Sequence, residues 1–211
     1  MLCRKPFREF ACGQCMPCRI SRRRLWTHRM LLETLKHDSN SFATLTYADD
    51  FVPLNGSLNP RHVQLWLKRF RKEISPVSLR FFLVGEYGDV SQRPHYHAAL
   101  FGVGPELQDL VAKTWQMGHV MLGDLTVQSA RYIAGYVTKK MTRWDDPRLN
   151  GRHPEFSRMS LRPGIGASAV PDIALTLLDT DQGRQHLARL SDVPTSLKHG
   201  SSDMPLGRLL S

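Results

Sequence analysis

The 211 residues, 41% of them hydrophobic, suffice for one folded α/β unit with appendages and exclude a wholly disordered chain. Lys and Arg outnumber Asp and Glu by 29 to 19, a formal charge of +10 that points to a polyanionic partner, nucleic acid ahead of an anionic membrane surface. No run approaches the roughly 18 apolar residues of a membrane span, and the N-terminal Met1-Leu-Cys-Arg-Lys-Pro6 lacks the apolar core of a secretory signal, so a soluble, cytoplasmic protein is expected.

All four cysteines, Cys3, Cys12, Cys15 and Cys18, fall in the first eighteen residues. Two intervening residues recur twice in Cys12-Gly-Gln-Cys-Met-Pro-Cys18, closer to a metal knuckle than to a disulfide framework. Zinc and free thiols in a flexible arm are the two readings. Residues 1 to 30 carry eight basic side chains, Arg19, Arg22, Arg23 and Arg24 among them, against the single acid Glu9. This arm is a candidate DNA contact, and a solvated basic helix is the alternative. From about Ser21, Leu25, Arg29, Leu32 and Leu35 recur at near-helical spacing, with a stop around His37 to Ser39. Residues 1–40 therefore read as a Cys-rich basic arm and helix.

Ser41 to Tyr47 alternates apolar and polar residues and reads as a strand. Asn59-Pro60 opens a helix with Asn as cap, and Val63, Trp66, Leu67, Phe70 and Ile74 form its apolar stripe. Lys68 and Arg69 lie on the other side as candidate phosphate contacts. Leu79 to Glu86 and His95 to Phe101 read as antiparallel strands joined by a polar loop holding Gly88, Asp89 and Pro94. A helix over Pro105 to Trp115, a strand over His119 to Leu125 and a helix from Ser129 to Met141 follow. The order predicts an α+β fold: a central antiparallel sheet of four to five strands with helices on one face, related to ferredoxin-like plans. Residues 41–145 form this core; 146–211 read as an appended, partly irregular segment with helix suggested over Pro171 to Leu190.

Two stretches could carry chemistry. In a strand, residues two apart share a face, so His95 and His97 converge while Tyr96 turns to the opposite layer. Hairpin pairing could bring Glu86 across as a third, oxygen-type ligand. Two nitrogens, one carboxylate and open positions fit Mg²⁺ or Mn²⁺ in phosphate chemistry; a half-exposed strand pattern is the plainer account of the same histidines. Tyr132 and Tyr136 lie four apart, on one face of a helix, with Lys139 on a neighbouring position. A phenol has a pKa of about 10 and needs an electrophilic phosphorus, with a cation such as Lys139 to stabilise developing charge. Lys140 adds a possible phosphate clamp, and core packing is the competing explanation of the aromatic pair.

Taken together, the motifs resemble the replication initiation proteins of the microviruses, closest to the gokushovirus branch, in the HUH endonuclease superfamily. The resemblance rests on Cys12-Gly-Gln-Cys-Met-Pro-Cys-Arg19, Phe42-Ala-Thr-Leu-Thr-Tyr47, Val84-Gly-Glu-Tyr-Gly88, Arg93-Pro-His-Tyr-His97, Tyr132-Ile-Ala-Gly-Tyr-Val-Thr-Lys139 and Met159-Ser-Leu-Arg-Pro-Gly-Ile-Gly166. It implies that His95 and His97 hold the divalent metal with Glu86 as third ligand. It also implies that Tyr136 or Tyr132 attacks single-stranded DNA at a replication origin, leaving a 5′-phosphotyrosine link and a free 3′-hydroxyl for rolling-circle synthesis. Tyr96 departs from the usual hydrophobic centre of the histidine motif, and the chain is short at its C-terminus for the family. The sequence carries no Gly-x-x-x-x-Gly-Lys-Ser/Thr loop, so unwinding falls to a host helicase, and synthesis to a host DNA polymerase, in the bacterial cytoplasm. A rival reading is a non-catalytic single-strand binder stacking bases on exposed Tyr47, Tyr87 and Tyr96.

Overall fold

The computed structural model describes residues 3–8, 10–136, 143–190, 194–199 and 202–206. In chain order the elements are α1 (Met16–Thr34), β1 (Asn40–Thr46), α2 (Pro60–Glu73), β2 (Arg80–Tyr87), β3 (Pro94–Phe101), α3 (Gln108–Trp115), β4 (Val120–Asp124), α4 (Val127–Tyr136), β5 (Phe156–Met159), α5 (Val170–Asp179), α6 (Asp181–Leu190), β6 (Ser196–His199) and β7 (Ser202–Pro205). The main sheet runs β4-β1-β3-β2-β5 with antiparallel neighbours, and its first four strands with α2 and α3 make a ferredoxin-like β-α-β-β-α-β unit.

One face of the sheet carries Ala43, Leu45, Tyr47, Leu83, Tyr87, Tyr96, Ala98 and Leu100, packed against α2 and α3 through Val63, Trp66, Leu67, Phe70, Val111 and Trp115. Helix α2 starts as expected: the Asn59 side chain accepts from Arg61 N at 3.0 Å, and Pro60 occupies the first turn. Tyr47, Tyr87 and Tyr96 are only 3%, 1% and 0% exposed, and their hydroxyls are tied to the protein, Tyr47 to Tyr96 at 2.9 Å and Tyr87 to the His153 carbonyl at 2.7 Å. These three rings serve the core and cannot form the stacking platform of the rival reading.

The sheet is covered on both faces, not one. Phe82, Val84, Ala99 and Phe101 form a second apolar layer that water would otherwise meet, and α1 and α4 bury it with Met30, Ala130, Ile133 and Ala134, with Trp26 alongside. Helix α1 begins at Met16, five residues before its apolar stripe becomes readable, and buries Met30 and Leu32 while Leu35 stays 69% exposed beyond its end.

The fifth strand comes from the segment beyond residue 145, where four residues are too few to show periodicity. Phe156 lies opposite Gly85, and a Cβ on Gly85 would sit 2.8 Å from the Phe156 ring. The bare backbone of Gly85 is what lets the ring lie on the sheet. The helical stretch near the C-terminus is two helices broken at Thr180, whose backbone is extended. The β6–β7 hairpin docks on α1, with a 2.8 Å hydrogen bond between His28 Nδ1 and the Pro205 carbonyl. Among the described residues no helix is long and apolar enough to cross a membrane.

Glu33 joins α1 to the sheet. Its buried carboxylate accepts from Arg80 Nε and from Gly166 N at 2.6 Å, with His37 Nε2 at 3.3 Å. Burial alone would raise its pKa, but the Arg80 and Gly166 hydrogen bonds outweigh that and hold it below the ordinary 4.5. A depressed carboxylate pKa stabilises the fold fully above about pH 4.5, and the contribution is lost as pH falls through the lower folded-state value. Glu33→Ala is expected to cost about 3 kcal/mol at neutral pH by urea unfolding, because Arg80 loses its buried partner. The gap from wild type should narrow toward about pH 3; a gap independent of pH would contradict this role.

Candidate active site

The β2–β3 register sets Glu86 directly opposite His95, and His97 follows two residues on, so all three side chains leave the sheet on the α1/α4 face. His95 Nε2 lies 2.8 Å and His97 Nε2 3.2 Å from the same carboxylate oxygen, Glu86 Oε1. The outer nitrogens are held as well. His95 Nδ1 donates to the Arg93 carbonyl at 3.2 Å, and His97 Nδ1 faces Thr44 Oγ1 at 3.0 Å. With both Nδ1 atoms protonated, both Nε2 lone pairs converge on the carboxylate.

Such a donor set demands positive charge. Glu86 and His97 are buried and His95 partly exposed, so a carboxylate and two ring nitrogens, mutually within 4.8 Å, share a poorly hydrated space open on one side. Protons or a divalent cation would relieve the repulsion. Two imidazole nitrogens and one carboxylate with open coordination positions fit a divalent ion, and the Nδ1 contacts give the ligands the outer-shell support such sites need.

Helix α4 lays its tyrosines over this cluster. Thr126 and Ser129 cap its start reciprocally, Thr126 N donating to Ser129 Oγ at 2.7 Å and Ser129 N to Thr126 Oγ1 at 3.2 Å. One turn apart on the helix, Tyr132 and Tyr136 meet edge to face at 4.9 Å between centroids. The His97 ring lies 5.1 Å from Tyr132 and 5.6 Å from Tyr136, stacked on the latter, with Phe42 stacked on its other side at 5.5 Å. Tyr132 is 47% exposed; Tyr136 is half-buried. Burial first, then hydrogen bonds with Tyr132 and Glu86, push the Tyr136 phenol above its ordinary 10.

Sequence spacing brings Glu86, His95, His97, Tyr132 and Tyr136 to one place. Lys139 and Lys140 lie outside the described residues. Arg23 and Arg24 of α1 line, with Arg131 of α4 and the β7 backbone, a groove of about 560 Å³ beside the tyrosine helix. Arg23 Nε also donates to the Arg131 carbonyl at 3.1 Å, bracing α1 against α4. Lys68 and Arg69 sit on α2, across the sheet from the cluster, and Arg69 Nε donates to the Thr114 carbonyl at 2.8 Å near the end of α3. The cysteines gather at the start of α1. Phe42 and Thr44 are contributors that sequence reasoning missed. Both belong to an ordinary alternating strand, and only the β1–β3 register, which sets Thr44 opposite His97, marks them.

A β-α-β-β-α-β sheet that presents a Glu-His-His cluster to a two-tyrosine helix is the layout implied by the resemblance to microvirus replication proteins. Residues 40–141 match the family model described as replication-associated protein ORF2. The chain is 32% identical to replication-associated protein ORF2 of Spiroplasma virus 4, over 74% of this chain and 55% of that protein. It is 28% identical to replication-associated protein VP4 of Bdellovibrio phage phiMH2K, over 65% and 50%, and 27% identical to replication-associated protein ORF4 of Chlamydia phage 1, over 61% and 38%. The chain thus spans about half the length, or less, of these curated relatives, and it is a relative of microvirus-type replication-associated proteins. No solved structure gives a significant match.

Manganese titrated into the protein is expected to bind with one-to-one stoichiometry at the Glu86-His95-His97 cluster. Thr44→Val, which keeps the shape but removes the support of His97 Nδ1, should weaken that affinity about tenfold. Calorimetry giving equal affinity for the two proteins would contradict an orienting role for Thr44.

Proposed function

We propose that this protein is a replication initiation endonuclease that nicks and rejoins single-stranded DNA at a phage origin. The observation that carries the reading is that both tyrosine rings stand within 5.6 Å, centroid to centroid, of a histidine belonging to a three-residue metal-ligand cluster. The family match of residues 40–141 supports it, because that stretch contains every residue of the cluster and both tyrosines.

A divalent ion, magnesium or manganese, held by Glu86, His95 and His97 would supply Lewis-acid polarisation of a non-bridging phosphate oxygen. The chain's own residues do the rest. The phenol oxygen bonds to phosphorus, the bond from phosphorus to the 3′ oxygen breaks, the phenol gives up its proton and the departing oxygen gains one. The product is a 5′-phosphotyrosine and a free 3′-hydroxyl, and since one phosphoester replaces another no ATP is consumed. Tyr132, the more exposed of the two, meets an arriving strand first, while Tyr136, held protonated against Glu86, is placed for the second transfer that closes a circle. Arg23, Arg24 and Arg131 line the groove where the strand's phosphates would run. Lys139 and Lys140 would add charge beyond α4. A host helicase and polymerase, in the cytoplasm of the bacterial host, would open the duplex and extend the 3′ end.

Incubation of labelled origin oligonucleotide with the protein and Mn²⁺, followed by a denaturing gel, tests the reading. The wild type should form a protein–DNA adduct, and Tyr132→Phe combined with Tyr136→Phe should form none while still binding DNA. His95→Ala should lower adduct formation by about 100-fold or more. Tyr132→Phe alone should cost more of the first cut than Tyr136→Phe. Wild-type adduct levels in the double Phe variant would overturn the assignment.

A further inference from the structure

The nicking chemistry leaves the cysteine cluster unused, and the geometry of that cluster is specific. Cys15 Sγ lies 3.4 Å from Cys18 Sγ and 3.8 Å from Cys3 Sγ; Cys12 Sγ lies 3.9 Å from Cys18 Sγ; all four sulfurs are mutually within 4.8 Å. A disulfide requires sulfurs about 2.05 Å apart. Zinc–thiolate bonds of about 2.3 Å in a tetrahedron require edges of about 3.8 Å, which is the spacing found.

The surroundings supply what a four-thiolate site needs. Backbone amides point at the sulfurs: Lys5 N and Cys12 N at Cys3 Sγ, 3.4 and 3.3 Å, Cys15 N at Cys12 Sγ, 3.4 Å, and Arg4 N at Cys15 Sγ, 3.5 Å. Thiolates accept such bonds far better than thiols do. Gly13 turns the knuckle with φ +70°, and the Arg22 guanidinium lies 3.0 Å from where a Cβ there would be. Zinc with four thiolates carries a net charge of −2, so a cation at that spot offsets it. Cys15 is the N-cap residue of α1 and Cys18 is in its first turn, so the sulfurs stand at the positive end of the helix.

We propose that Cys3, Cys12, Cys15 and Cys18 bind one structural zinc ion that clamps the N-terminal arm onto the start of α1. The site fixes the end of the helix that carries Arg22, Arg23 and Arg24 and braces the tyrosine helix through Arg23. It is distinct in place and chemistry from the Glu86 cluster, since four sulfurs select zinc whereas two imidazoles and a carboxylate suit harder ions.

The full chain, purified under argon with reductant and without chelator, should contain about one zinc by elemental analysis, as a closed four-thiolate site implies. Cobalt exchanged for it should show the absorption of a tetrahedral four-thiolate site. Cys12→Ser and Cys15→Ser should each drop the zinc content below roughly a tenth, while His95→Ala with His97→Ala should leave it intact, which separates this proposal from the nicking reading. Zinc removal should speed tryptic cleavage between Arg4 and Arg24 by about tenfold. Zinc content below a tenth in the wild type, unchanged content in the Cys→Ser variants, a mass showing disulfides, or tryptic cleavage indifferent to zinc would each overturn it.

Discussion

The site depends on the hydrogen-bond register of three strands. Glu86 faces His95, and Thr44 faces His97, because β2, β3 and β1 pair at one offset. A slip of one residue would send the histidines and the carboxylate to opposite faces. What prevents the slip lies on the other side of the sheet. Tyr87, Tyr96, Leu83 and Ala98 fill a dry layer against α2 and α3, and the Tyr96 hydroxyl takes up Asn59 N at 2.9 Å while Tyr87 takes up Leu58 N at 3.0 Å. Residues with no part in the chemistry thus hold the chemical face in alignment.

The reactive face is built as a gradient. Toward one end of β2 and β3, Phe82 and Phe101 pack with Met30 in an apolar layer with no need of charge. Toward the other end the same face turns to Glu86, His95 and His97, and α4 crosses so that Ile133 and Ala134 are buried while Tyr132 and Tyr136 reach the polar end. Helix α1 seals the apolar part and, through Arg23, steadies α4. A site with one wall exposed and the rest enclosed suits a strand that must enter, react and leave.

Much of this was legible in the sequence. Alternation located β1 to β4 within a residue or two, the Asn59-Pro60 cap located α2, and spacing alone put His95 with His97 and Tyr132 with Tyr136. The remainder was hidden for physical reasons. Both faces of β2 are buried, so alternation could not reveal a second helical layer. Strand β5 is four residues long and takes its place from Phe156 lying on Gly85. Thr44 and Phe42 matter only through a pairing between strands far apart in sequence. The burial of Tyr47, Tyr87 and Tyr96 follows from the face they share, which composition does not express.

The central claim is that the imidazoles, the carboxylate and the phenols surround one ion. Pulsed electron paramagnetic resonance of Mn²⁺ bound to protein carrying ¹⁵N-histidine and ring-deuterated tyrosine tests it directly. Coupling to nitrogens of two imidazoles is expected, together with deuterium coupling from the nearby tyrosine rings. Manganese bound with water ligands alone, coupled to neither label, would contradict it.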